Sequence, residues 1–265
     1  MDYPIIDFHT HPFIDDKENI CTHLEYFNVT LEDTKPFLQS VGIQNICGSV
    51  TGRVRMGEPD SFEPVKQLND KALYLRDYFK GFYIPGFHIH PKFVNESIKE
   101  IERMHKEGVK LVGELVPYTQ GWSKWDSKEL FTILTAVQDY GMVLNFHALV
   151  NPEQEDQIDT MVRTFPNLVI VGAHPGDANT LNRHLNRMKI SDNYYVDLSG
   201  GMLHRMGTLK HGVQEFGAKR FLFGTDFPIC NPGSYIGGIM LDPLISEEDK
   251  PLIMYQNAKR ILEIK

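Results

Sequence analysis

The stretch at 82–116 decides the fold, because it contains two buried strands joined by an amphipathic helix. It reads FYIPGFH over 82–88, NESIKEIERMHKE over 95–107 and KLVGELV over 110–116. The two outer runs are short and apolar, which is typical of strands buried on both faces of a parallel sheet. The middle segment places Ile98, Ile101 and Met104 on one helical stripe, and Gly108 follows it as a C-terminal cap. The stretch therefore predicts a strand–helix–strand unit.

The same alternation continues along the rest of the chain. Strands are predicted at Pro4–His9, Ile43–Val50, Phe82–His88, Lys110–Val116, Met142–His147, Leu168–His174, Tyr194–Leu198 and Arg220–Thr225. Helical patterns lie at Asn95–Glu107, Ser127–Tyr140, Glu153–Thr164, Asn179–Met188, Leu203–Phe216 and Glu247–Leu262. Eight strands that alternate with helical segments over 265 residues are typical of a closed (β/α)8 TIM barrel, an α/β fold. The structural alternative is an open doubly wound sheet, but no glycine-rich fingerprint follows the first strand. We find no linker, so residues 1–265 are predicted to form a single barrel domain.

The composition is that of an ordinary soluble globular protein, with 42% hydrophobic and 23% charged residues. The net charge of −8, without any basic run, argues against a nucleic-acid partner. Cys21, Cys47 and Cys230 are widely spaced, which favours reduced, packed thiols in a cytosolic protein, although Cys230 lies near a strand end and could act catalytically. There is no signal peptide and no apolar run of the ~18 residues that a membrane span needs. We therefore expect a cytoplasmic protein that acts on a small molecule, with no membrane partner and with homo-oligomerisation left open.

Ionisable side chains collect at the predicted carboxyl ends of five strands, where parallel barrels carry their active sites. They are His9 and His11, Glu114, His147, His174 and Asp226. Period-2 alternation sends His9 and His11 to the same side, so two imidazoles can converge on one ion. A single histidine at a strand end is more often a hydrogen-bonded structural residue, but four histidines and two acids facing one mouth would be costly without a cation. The set predicts a divalent metal, and its imidazoles favour Zn²⁺.

The order of these residues resembles the amidohydrolase superfamily. The wording FGTDFP at 223–228 and the later pair Asn257-Ala258 resemble its amidohydrolase-2 branch, which includes hydrolases, lactonases and nonoxidative decarboxylases. The resemblance implies that the metal is surrounded by His9, His11, His147 and Asp226, and that His174 lies beside the metal-bound water or substrate. Glu114 stands where one variant of the family has a carboxylated lysine, so that variant is not supported.

The main functional prediction is a metal-dependent hydrolase that uses an activated water on an amide, lactone or ester. Asp226 would accept the proton of the water, and His174 would orient the water or stabilise the oxyanion. A nonoxidative decarboxylase of the same family is the first alternative; the chain is short for one, so the sequence favours hydrolysis. A TatD-type deoxyribonuclease is a further alternative: Glu114 agrees with that family, but an acidic surface is unfavourable for binding DNA. A non-catalytic barrel that binds a metal or ligand is the remaining alternative.

Residues in two loops are candidates for substrate binding. Arg53 and Arg55 follow the second strand, where a guanidinium suits an anionic group of the substrate, although a solvated pair is an equal alternative. Tyr118 and Trp122 follow the fourth strand and could form an aromatic wall for a planar or cyclic substrate. His88 is predicted to be structural, because the ligand set is complete without it.

Glu114 decides the expected number of metals. With one ion, it would be an outer or substrate-binding group. With two, Glu114 would bridge an ion held by His9, His11 and Asp226 and another held by His147 and His174. We expect one tightly held ion and a weaker second site.

Overall fold

The computed structural model describes residues 3–15, 29–51, 58–148, 150–201 and 205–264. Eight parallel strands form one sheet in the order of the chain, β1 to β8. They are β1 Ile5–Asp7, β2 Ile43–Ser49, β3 Tyr83–Phe87, β4 Leu111–Leu115, β5 Val143–His147, β6 Val169–Ala173, β7 Tyr194–Asp197 and β8 Phe221–Leu222. Each lies inside one of the eight predicted runs. The predicted (β/α)8 barrel is confirmed.

Hydrogen bonds between the last and first strands close the sheet. The backbone N–H of Phe8 donates to the carbonyl of Phe223 at 2.9 Å, and Thr10 forms an isolated parallel bridge with Phe227. The buried Asp7 carboxylate adds a side-chain link, since it accepts from the backbone N–H of Thr225 at 2.9 Å. Closure brings the residues after β1 and β8 next to each other.

Helices follow the strands and cover the outside of the sheet. They are α1 Leu31–Ser40, α2 Glu63–Phe79, α3 Val94–Lys106, α4 Pro117–Gln120, α5 Lys128–Asp139, α6 Pro152–Thr164, α7 Ala178–Ile190, α8 Thr208–Phe216, α9 Pro232–Met240, α10 Asp249–Pro251 and α11 Asn257–Ile261. A π-helical segment, Leu252–Gln256, joins the last two. Residues 208–216 of the predicted helix Leu203–Phe216 form α8, and the first two residues of that prediction lie outside the described residues. The short helix α4 lies inside a segment that we expected to be a loop.

Local signals in the sequence explain several helix ends. Ser127, the first residue of a predicted helical pattern, caps α5 by accepting from the backbone N–H of Leu130. Gly108, Gly141 and Gly217 follow helices with positive φ angles of 77°, 62° and 77°. In the C-terminal segment, the buried Asn257 side chain donates to the carbonyls of Ala218 and Phe221 and so anchors the last helices beside β8.

No helix among the described residues is long and apolar enough to cross a membrane.

Candidate metal centre

The six residues predicted from the strand ends come together at the mouth of the barrel, with Glu114 in their middle. Its Oε2 lies 3.5 Å from His9 Nε2 and 3.3 Å from His11 Nε2. Its Oε1 lies 3.0 Å from both His147 Nδ1 and His174 Nε2. One carboxylate at the end of β4 thus faces four imidazoles from β1, β5 and β6.

Asp226 faces the same cluster from the segment after β8. Its Oδ1 lies 3.4 Å from His11 Nε2 and 3.7 Å from His9 Nε2. This oxygen is buried and has no hydrogen-bond partner among the described residues. The backbone holds the side chain in place, because Asp226 N–H donates to the carbonyl of His9 at 2.8 Å.

Three of the imidazoles are oriented by an oxygen on their outer side. His9 Nδ1 lies 3.0 Å from Asp197 Oδ2, and His11 Nδ1 lies 3.0 Å from the carbonyl oxygen of Ser49. His174 Nδ1 lies 3.1 Å from Ser199 Oγ, whose own proton goes to Asp197. All three Nδ1 atoms are therefore N–H donors, which leaves the Nε2 lone pairs directed into the cluster.

This arrangement fits a divalent cation. The lone pairs of His9 Nε2 and His11 Nε2 face each other across 3.3 Å and also face two carboxylate oxygens. Acceptors at such distances repel one another unless a proton or a metal ion lies between them. Three ligand triads have donor atoms within 4.8 Å of one another: His9, His174 and Asp226; His9, His11 and Glu114; and Glu114, His147 and His174. His147 is grouped only with Glu114 and His174, whereas His174 also lies with His9 and Asp226.

The protonation equilibria show how strongly the cluster attracts positive charge. Burial lowers the pKa of His11, but the nearby carboxylates of Asp226 and Glu114 outweigh it and raise the pKa to about 9. Burial likewise lowers the pKa of His9, and the carboxylates of Asp197 and Glu114 raise it well above its usual value. For Glu114, burial raises the pKa, but His9 and His174 hold it well below the ordinary range. A divalent cation competes for the positions that these protons occupy.

Asp197 was not predicted from the sequence, although it connects two of the imidazoles. Its Oδ2 accepts from His9 and, at 3.1 Å, from Asn145 Nδ2. Its Oδ1 accepts from the backbone N–H of Ser199 at 3.1 Å and from the Ser199 hydroxyl. The available signal was a buried acid at the end of an apolar strand, in the motif YYVD at 194–197.

A small cavity of about 70 Å³ opens above the cluster. Its lining comprises His11, Thr51, Glu114, Val116, Tyr118, Thr119, His147, His174, Asp226 and Ile229. Tyr118 packs edge-on against His147, with ring centroids 5.4 Å apart. Trp122 is not part of this lining; its ring packs against Trp125 at 4.9 Å. Arg53 and Arg55 lie outside the described residues.

Two other candidates have defined surroundings. Cys230 is half-buried and accepts a hydrogen bond from the Tyr235 hydroxyl at 3.5 Å. His88 is buried, and its Nε2 lies 2.9 Å from the carbonyl of Val50. Cys47 is a buried free thiol, whereas Cys21 lies outside the described residues.

The comparison with protein families identifies the barrel. The amidohydrolase family (amidohydrolase-2) matches residues 6–264, nearly the whole chain. This chain belongs to the amidohydrolase family. It is accordingly an enzyme of the amidohydrolase superfamily, as the motif order predicted.

Solved structures resemble this amidohydrolase along its whole length. The 2,6-dihydroxybenzoate decarboxylase from Rhizobium is 15% identical with a TM-score of 0.76, and the similarity covers 98% of each chain. A mutant 5-carboxyvanillate decarboxylase from Novosphingobium aromaticivorans, with manganese and 3-methoxy-4-hydroxy-5-nitrobenzoic acid, is 15% identical with a TM-score of 0.76, over 99% of this chain and 97% of that one. A dihydroxybenzoic acid decarboxylase from Polaromonas, with manganese and 2-nitroresorcinol, is 16% identical with a TM-score of 0.72, over 98% and 97%. No curated protein matches the amidohydrolase.

These neighbours contradict the prediction of a hydrolase. They are mostly decarboxylases, and they favour the decarboxylase alternative. The sequence argument from chain length was wrong, because the similarity to the Rhizobium enzyme extends over 98% of both chains. The metal-ligand motif could not distinguish a hydrolase from a decarboxylase, because the same set of metal ligands can serve both reactions.

Proposed function

We propose that this amidohydrolase is a metal-dependent, nonoxidative decarboxylase of a small hydroxylated aromatic acid. The observation that carries the proposal is the set of neighbours, which are decarboxylases of substituted benzoic acids on the same barrel. The size of the cavity supports this proposal, because a volume of about 70 Å³ suits a carboxylate group above the cluster. The aromatic ring of the substrate would then extend toward Tyr118 and Ile229.

A metal ion would be held by the inward-facing atoms of the cluster, which are His9 Nε2, His11 Nε2 and Asp226 Oδ1, with Glu114 and the remaining imidazoles beside them. When bound, the ion supplies a positive charge that binds the substrate carboxylate and withdraws electrons from the ring. We propose zinc, which imidazoles favour; manganese is the alternative, because it is present in two of the decarboxylase structures.

Asp226 is the proposed acid. Its carboxyl group lines the cavity, and with Oδ1 turned to the cluster, Oδ2 would carry the proton. The proton passes to the ring carbon that bears the carboxylate. The bond between that carbon and the carboxylate then breaks, its electron pair restores the aromatic ring, and CO₂ leaves. His174, which also lines the cavity and is fixed by its hydrogen bond to Ser199, orients the substrate carboxylate.

The test is CO₂ release from a panel of hydroxybenzoates by the metal-loaded protein. In D₂O, the product should carry one deuterium at the position of the lost carboxylate. Asp226→Asn should reduce the rate at least about a hundredfold if it is the acid. Absence of CO₂ release across the panel, with a full equivalent of metal bound, would reject this function.

The number and identity of the ions need a separate measurement. Elemental analysis should find one equivalent per chain in the wild type and almost none in His9→Ala/His11→Ala. Glu114 faces one imidazole pair with each oxygen, so it could bridge two ions. We propose one tightly held ion. Two equivalents retained after dialysis, and a loss of one in Glu114→Gln, would instead favour a bridged pair.

A further inference from the structure

Three buried polar atoms near the ends of β2 and β3 lack a hydrogen-bond partner among the described residues. They are Ser49 Oγ, Thr51 Oγ1 and His88 Nδ1. Ser49 pairs with Gly86 in the parallel register, so Thr51 and His88, each two residues further on, leave the sheet side by side. Buried polar atoms are rarely left without partners, and an unpartnered group that lines a cavity, as Thr51 does, points to a ligand.

The hydrogen bond of His88 on its other side fixes what its free nitrogen can do. Nε2 donates to the carbonyl of Val50 at 2.9 Å. Burial lowers the pKa of His88 to about 4, which keeps the ring neutral. A neutral imidazole carries one N–H, so Nδ1 is a hydrogen-bond acceptor and needs a donor.

These atoms lie beside the metal centre. The carbonyl of Ser49 accepts from His11 Nδ1 at 3.0 Å, while the next carbonyl, that of Val50, accepts from His88. The end of β2 therefore runs between the two imidazoles. Thr51 lines the cavity together with His11 and Glu114.

We propose that Thr51 and His88, with Ser49 next to them, form a subsite that binds a hydroxyl group of the substrate. The substrate hydroxyl donates its proton to His88 Nδ1 and accepts a hydrogen bond from the Thr51 hydroxyl. A carboxylate or carbonyl oxygen has no proton to donate and would leave Nδ1 unpaired. The identity of the rest of the ligand, an aromatic acid, rests on the proposed function.

Calorimetric binding to the metal-loaded protein tests the subsite, with CO₂ release followed in parallel and KM used in place of Kd for any probe that turns over. The probes are benzoate, its 2-, 3- and 4-hydroxy derivatives, and phenol. The hydroxyl preference is the ratio of the Kd of benzoate to the Kd of the tightest hydroxybenzoate. We expect Thr51→Val, which keeps the shape of the side chain, to reduce this preference roughly fivefold or more while benzoate binds as before.

Two further variants and a control separate the hydroxyl contact from a general structural effect. His88→Gln can still donate to Val50 but loses the acceptor at Nδ1, so it should reduce the preference as Thr51→Val does. His88→Asn places a carbonyl oxygen near the position of Nδ1, so it should retain part of the hydroxyl preference. Thr119→Val is the matched control: Thr119 also lines the cavity, but its hydroxyl already donates to the carbonyl of Val116 at 2.8 Å, so its removal should leave the preference unchanged.

The outcomes distinguish the subsite from the proposed function. An unchanged preference in Thr51→Val and His88→Gln, or no preference in the wild type, would overturn the subsite even if hydroxybenzoates release CO₂. Conversely, phenol binding that weakens in both variants, without binding or turnover of any benzoate, would keep the subsite and reject the aromatic-acid function. If neither phenol nor any hydroxybenzoate binds, the subsite is rejected.

Discussion

Asp197 determines the direction of two imidazoles without facing the cavity itself. It accepts from His9 on one oxygen and, through Ser199, supports His174 on the other. A carboxylate is needed here because both oxygens act only as acceptors. Partners of this kind raise the basicity of a ligating histidine and hold its ring in the orientation for binding.

Asp197→Asn should lower metal affinity about 10–100-fold. The amide replaces one acceptor oxygen with an NH₂ group, which cannot accept from both His9 and Ser199. Competition with a chromophoric chelator measures the affinity. Asp192→Asn is the control, because Asp192 is fully exposed and its pairing with Arg220, at 3.7 Å, is a surface contact. Equal metal affinities in the two variants would contradict the role given to Asp197.

Gly200 allows His174 to reach its position. Its φ is 69°, and a Cβ placed on it would lie 2.2 Å from His174 Nδ1. Gly200→Ala should therefore displace the imidazole and weaken metal binding, besides a backbone strain of about 1 kcal/mol. Gly207→Ala carries the same strain, at a φ of 84°, and its Cβ would meet no atom of the described residues within 4 Å. Metal titration should separate them, and similar affinities would show that His174 is not held by this contact.

At the scale of elements, α6 and α7 are joined by a buried arginine. Arg187 on α7 donates from Nε to Asp159 at 2.7 Å and from an NH₂ group to Glu155, both on α6. The Arg187 side chain is almost entirely buried, whereas Arg183, also on α7, is about two-fifths exposed and lies 3.7 Å from Asp156. The two pairs join the same helices in different dielectric surroundings.

Arg187→Ala should lower the free energy of unfolding by about 3–5 kcal/mol, because it leaves the buried Glu155 carboxylate and the partly buried Asp159 carboxylate unpaired. Arg183→Ala should cost less than about 1 kcal/mol, since exposed pairs are screened by water. Urea denaturation of the metal-loaded proteins measures both. Equal losses would show that burial does not distinguish the two pairs.

At the scale of the whole molecule, His184 links stability to pH. It is buried, with Nδ1 2.8 Å from the Tyr194 hydroxyl. Burial, followed by the nearby Arg187 charge, lowers its pKa to about 3, against an unfolded value of about 6.5. Because the folded-state pKa is depressed, this contribution to stability is complete above pH ~6.5 and is lost as the pH falls toward ~3.

Between pH 6.5 and 4.5, His184 should cost the wild type up to about 1.4 kcal/mol of unfolding free energy per pH unit. His184→Gln cannot titrate, so it should start less stable at pH 7 but lose less on acidification. His211→Gln, at an exposed position on α8, should follow the wild type. Parallel pH profiles of wild type and His184→Gln, measured by urea denaturation, would contradict the assignment.

Whereas α1 and α2 were not predicted, the eight strands, the helices that follow β3 to β8 and the six residues that meet at the mouth could be predicted from the sequence. These follow from local patterns: apolar runs and helical stripes mark the elements, and parallel strands bring their carboxyl ends to one edge. The pattern marks Asp197 as an acid at a strand end, but it could not reveal that Asp197 accepts from His9, or that one nitrogen of His88 lacks a partner, because both depend on side chains from other strands.

Which groups share a hydrogen bond and which face the cavity depends on contacts between distant segments of the chain. Tyr118 and Trp122 stand four residues apart in one segment, yet one lines the cavity and the other packs against Trp125. The single turn of α4 and the loop after it set that difference, and no periodicity encodes it. The position of His174 beside His9 and Asp226 likewise depends on local backbone conformation and not on periodicity. Its φ of 63° turns it out of the regular strand, so strand alternation could not predict where its side chain points.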